Sequence, residues 1–76
     1  MKKELSYEDI RVYDFIVSYI SENGYPPSYR EIALKVGRAD SMIIPVLWKL
    51  ESFGKIKMKP KTPRAIKVIG YEFVKV

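Results

Sequence analysis

The sequence contains no cysteine and no histidine. Without cysteine there is no disulfide framework and no thiolate chemistry. Without histidine the chain lacks the usual general base and the commonest metal ligand. It has no apolar run long enough to span a membrane and no secretory signal pattern, so a cytoplasmic location is the default expectation. Internal repeats, low-complexity tracts and glycine-rich phosphate loops are also missing. A serine–lysine pair is the one nucleophile–base combination left open. The expectation is therefore a protein that is not an enzyme, with no cofactor, no metal, no membrane and no small-molecule substrate.

What is present suffices for one small folded domain. In 76 residues, 47% are hydrophobic and 13% aromatic, which argues against disorder. The net charge is +5, and it is unevenly placed. Residues 1–31 carry four basic and six acidic side chains, whereas residues 32–76 carry ten basic and three acidic. A basic half joined to an acidic half suits a polyanion docking on one side, although a lysine-rich solvated surface gives the same count.

The stretch Gly24-Tyr25-Pro26-Pro27-Ser28-Tyr29-Arg30-Glu31-Ile32-Ala33 organises the rest. Asn23-Gly24 suits a helix end, and two prolines cannot continue a helix. Ser28, with Glu31 three residues on, is a capping box that opens a new helix. That helix ends at Gly37, which suits the left-handed residue after a helix.

The first helix is expected at about residues 7–23. Ser6 and Asp9 cap it, Leu5 and Ile10 are placed for a hydrophobic staple, and Val12, Ile16 and Ile20 form its apolar stripe. Tyr13 and Tyr19 on this helix are either core-edge packing or stacking groups. The second helix, about residues 29–36, is too short to stand alone and must pack through Ile32 and Val36. In its first turn Arg30 can join the open backbone N–H groups in clamping a phosphate, or simply pair with Glu31 or Asp14.

A third helix is expected at about residues 42–53, with Ile43, Val46, Leu47 and Leu50 inward. Pro45 is tolerated only within a first helical turn, so that turn is placed near residues 42–45. The outward face then carries Ser41, Ile44, Pro45 and Trp48. It is a poor set for reading base edges, since only Ser41 and the Trp48 indole offer hydrogen bonds. Three readings stay open. Met42 or Ile44 can touch thymine methyl groups, the apolar set can be a protein interface, or the helix can rotate and bury part of it.

Lys55-Ile56-Lys57-Met58-Lys59 alternates strictly, and Ile66 and Val68 continue the pattern after a Pro60-Lys61-Thr62-Pro63 loop. Strands at about residues 55–59 and 65–69 would form a β-hairpin wing. Its lysines can lie on phosphates or in a minor groove, or they can merely protect an edge strand. Residues 71–75, including Tyr71 and Phe73, can add a further strand to the sheet or to a second copy of the chain.

Several of these blocks together resemble the N-terminal DNA-binding domain of LexA repressors. They are Gly24-Tyr25-Pro26-Pro27-Ser28, Arg30-Glu31-Ile32-Ala33, Val36-Gly37, Leu47, Lys49-Leu50-Glu51, Gly54-Lys55-Ile56 and Pro63-Arg64-Ala65-Ile66. The likeness covers about residues 5–69. It implies an α+β winged helix-turn-helix fold, three helices followed by a β-hairpin wing, and a transcriptional regulator that binds double-stranded DNA. The residues themselves, taken with this likeness, give an expected site. Ser28, Tyr29 and Arg30 would fix one strand, with Lys49, Lys57, Lys59, Lys61 and Arg64 on the other side. Ser41 and Met42 would approach base edges, with Arg38 in the turn beside them. A homodimer or another protein partner would use Ile44, Pro45, Trp48, Tyr71 and Phe73. The chain departs from the family in its apolar third-helix face and in having one residue fewer between Gly37 and Gly54. LexA repressors also carry a self-cleaving, dimerising second domain; the sequence shows none, so neither self-cleavage nor the usual dimer is expected.

Overall fold

The computed structural model describes residues 4–59, 62 and 64–70. Three helices precede a two-stranded antiparallel hairpin: α1 is Tyr7–Asn23, α2 Tyr29–Val36, α3 Asp40–Ser52, β1 Ile56–Met58 and β2 Ile66–Val68. In the hairpin Ile56 faces Val68, Lys57 faces Lys67 and Met58 faces Ile66. Lys61, Tyr71 and Phe73 lie outside the described residues.

Local signals set the first two helices. Ser6 Oγ accepts the Asp9 amide and Asp9 accepts the Ser6 amide, which completes a capping box. Leu5 packs on the core, but Ile10, the other half of the expected staple, stays exposed. Gly24 ends α1 in the left-handed region at φ 81°, where glycine has no Cβ to clash. The second box is formed by Ser28 and Glu31, with amide-to-side-chain distances of 2.8 and 3.1 Å.

The third helix differs from expectation at its start. It begins at Asp40, and its cap, Ala39, has no side chain to accept a bond. The Met42 amide instead donates to the Ala39 carbonyl at 2.9 Å, a tight first turn. Pro45 therefore sits inside the helix rather than in its first turn, and it has no N–H to give to the Ser41 carbonyl. Such a proline costs about 3 kcal/mol. The helix tolerates it because Ile43, Leu47 and Leu50 are fully buried, at roughly 1.5–3 kcal/mol each.

Those three residues meet Val12, Ile16 and Ile20 of α1, Ile32 and Ala33 of α2, and Ile56, Ile66 and Val68 of the wing in one core. α2 packs closely on α3, and β1 packs on α3 as well. The Glu51 carboxylate accepts the Met58 amide at 2.9 Å and ties the wing's first strand to the end of α3.

Candidate nucleic-acid interface

The segregated charges of the sequence partly cancel within the fold. Arg38 pairs with Glu8 at 2.7 Å, Lys49 with Asp9 at 2.8 Å and Arg64 with Glu31 at 2.8 Å. Each pair brings a cation from the basic half onto an acid of the first two helices. Three side chains expected at the DNA site are thus paired with acids of the same chain.

Lys49 is the most firmly engaged of the three. Its ammonium donates to Asp9, whose side chain is buried while also capping α1. Burial pushes the Asp9 carboxyl up, but the bonds from Lys49 and Ser6 outweigh it and hold the group below its ordinary value. The Arg64 guanidinium meets Glu31 in the first turn of α2 and the Pro26 carbonyl before it. Tyr29 is half-buried, with its hydroxyl 4.0 Å from the Met58 sulfur, and so joins α2 to the wing. The Ser28 amide, expected to meet a phosphate, is taken by Glu31.

Arg30 remains open. It is exposed in the first turn of α2, and neither Glu31 nor Asp14 pairs with it among the described residues. The Tyr29 and Arg30 amides, as the first two of the helix, have no intrahelical acceptor. Anions are stabilised at such an end.

The wing carries the densest open charge. Lys55, Lys57, Lys59 and Lys67 are exposed and have no ion-pair partner among the described residues. Lys57 and Lys67 stand directly opposite each other. Like charges in that relation are destabilising, and an anion laid across them would relieve it. Lys55 and Lys67 were absent from the expected site. The alternation around Lys57 could have indicated the first, but the second needs the strand register.

On α3, Ser41 and Pro45 are exposed, Met42 is 52% exposed and Trp48 62% exposed, while Ile44 is partly covered. The helix has not rotated to bury this face. It is an apolar strip on the outer side of the helix that follows the α2–α3 turn. Among the described residues no helix is long and apolar enough to cross a membrane.

A short α2 set by a capping box, a tight turn, an outward-facing α3 and a basic hairpin beside it define a winged helix-turn-helix domain. The particular family follows from comparison: residues 2–65 match the LexA DNA binding domain, and the chain belongs to that family. It is 44% identical over 70 residues to a LexA repressor of Oceanobacillus iheyensis, covering 91% of this chain and 34% of the relative. A LexA repressor of Caldicellulosiruptor saccharolyticus is 38% identical over 74 residues, with 96% and 37% covered. One from Listeria welshimeri is 45% identical over 62 residues, with 80% and 30% covered. The chain thus spans about a third of the length of these curated relatives, and what it matches is their DNA-binding part.

Proposed function

We propose that this domain binds duplex DNA and serves a transcriptional regulator, a repressor like its relatives. α3 enters the major groove, the wing lysines lie along phosphates, and Arg30 with the first amides of α2 holds a phosphate on the other side. The observation that carries this reading is the set of unpaired lysines on the wing, in a fold where Arg38, Lys49 and Arg64 are paired with acids of the same chain. The α3 face would contact bases mainly through apolar groups, Met42 and Ile44 against thymine methyls, with Ser41 able to hydrogen-bond. One domain of this size buries little DNA surface, so two copies on adjacent half-sites are the working assembly. Gel-shift titration of a mixed-sequence duplex over a salt series tests this: affinity should fall steeply with salt. Binding that is undetectable at low salt would remove the reading.

A specific observation also supports a protein contact at α3. Trp48 is a large exposed aromatic one turn from Ile44, and exposed apolar strips mark interaction surfaces. In this second reading the strip joins two copies rather than touching bases.

A further inference from the structure

We propose that Glu31 and Arg64 are positioning residues that lock the wing at a fixed angle to α2 and α3, and that neither touches DNA. This inference rests on the DNA-binding reading above.

The geometry converges on one guanidinium. Arg64 Nη1 lies 2.8 Å from Glu31 Oε1, 3.1 Å from the Pro26 carbonyl and 3.3 Å from the Tyr19 hydroxyl. Its guanidinium carbon stands 5.0 Å over the Tyr25 ring centre, a cation–π contact. A carboxylate, a carbonyl, a hydroxyl and an aromatic face therefore surround a side chain that begins on the wing. Arg64 is also the one non-glycine residue with positive φ among the described residues, at 53°. That conformation is uncommon for arginine and persists where surrounding contacts over-determine it.

Glu31 is the hub on the other side. Its carboxylate accepts the Ser28 amide at 2.8 Å, the Tyr19 hydroxyl at 3.0 Å and Arg64. One side chain thus links the α2 cap, α1 and the wing, while Arg64 adds the loop between α1 and α2. The Ser28 amide and the Arg64 guanidinium hold the carboxyl down at about 2, so it is ionised throughout the neutral range.

The wing needs such a link. A hairpin with three residues per strand is marginal by itself. Its first strand is tied to α3 through Ile56 and the Glu51 bond. Arg64 precedes the second strand and fixes it to the helices from the opposite side. With the angle fixed before binding, the wing lysines meet phosphates without an ordering cost on association.

The test uses the whole chain and Glu31→Gln, Arg64→Lys and Arg64→Ala variants. Glutamine keeps the capping box but loses the ion pair; lysine keeps the charge but loses the fork. Removing an acid near DNA should tighten binding by simple electrostatics. The lock requires the opposite. Glu31→Gln should weaken binding to a mixed-sequence duplex roughly tenfold, with helical circular dichroism unchanged. Arg64→Lys should bind as weakly as Arg64→Ala, with the wild-type salt slope kept, and the Glu31→Gln/Arg64→Ala double variant should be no weaker than either single one. Tighter binding by Glu31→Gln, or rescue by Arg64→Lys with a shallower slope in Arg64→Ala, would overturn the proposal in favour of direct charge effects. Unaltered affinity in all folded variants would reduce the pair to stability alone. Amide exchange at Lys59, which donates to the Ala65 carbonyl across the hairpin, gives a readout that needs no DNA. It should accelerate in all three variants, and wild-type protection there would overturn the lock. A wild type that binds no DNA would instead remove the DNA-binding reading, and the lock would be decided by exchange.

Discussion

Lys49 Nζ lies 2.8 Å from Asp9 Oδ2, so a cation of α3 is bound to the first turn of α1. The pair joins the cap of one helix to the flank of another across the core. Lys49 is the one lysine of α3, so that helix has no lysine outside an ion pair.

Lys49→Ala should destabilise the protein while leaving DNA affinity nearly intact. The substitution strands a buried carboxylate, which in a fully buried pair costs about 3–5 kcal/mol. Lys49 is itself partly exposed, so solvent screening reduces the expected loss to about 1–2 kcal/mol. Urea unfolding measures the first effect and a gel shift on the folded variant the second.

Stability should fall in acid through Glu31. Its carboxyl is held at about 2 in the fold, against an ordinary 4.5. A depressed carboxyl stabilises the fold fully above its unfolded value, and the contribution is lost as pH drops from about 4.5 towards about 2. Asp9 is shifted in the same direction and adds to the loss. Denaturant midpoints measured across this window should decline in the wild type and decline less in Glu31→Gln.

Pro45→Ala should raise the melting temperature. Alanine restores an N–H for the Ser41 carbonyl and relieves the ring's crowding of the preceding turn. A gain of about 1 kcal/mol or more is expected, since the proline penalty is about 3 kcal/mol before relaxation. Calorimetry on the two proteins checks it.

Trp48→Ala should leave the fold intact, because the side chain is largely exposed. If α3 reads bases, the variant weakens DNA binding at unchanged size in solution. If the strip joins two copies, sedimentation shows a shift towards monomer, since buried aromatic anchors dominate interfaces.

The elements were legible where the signal is local. The boxes Ser6–Asp9 and Ser28–Glu31, the stops at Gly24 and Gly37, and the alternation from Lys55 to Lys59 each lie within a few residues. The start of α3 was not legible, because Ala39 caps it with no side chain and buried neighbours override the proline. The site was harder still. Whether Lys49 or Arg64 is paired within the fold depends on acids far away in sequence, Asp9 and Glu31, and only the folded chain brings them together. Lys67 becomes a candidate only once it is seen opposite Lys57.

The wing lysines carry the central claim. Duplex affinity measured against salt for the wild type and for a variant with Lys55, Lys57, Lys59 and Lys67 all replaced by alanine tests it most directly. Each phosphate contact contributes a slope of about −0.9 in log affinity against log salt. The variant should bind every duplex more weakly and lose up to about 3.6 units of slope. An unchanged slope and affinity in the fourfold variant would contradict the account, because the wing would then not touch DNA.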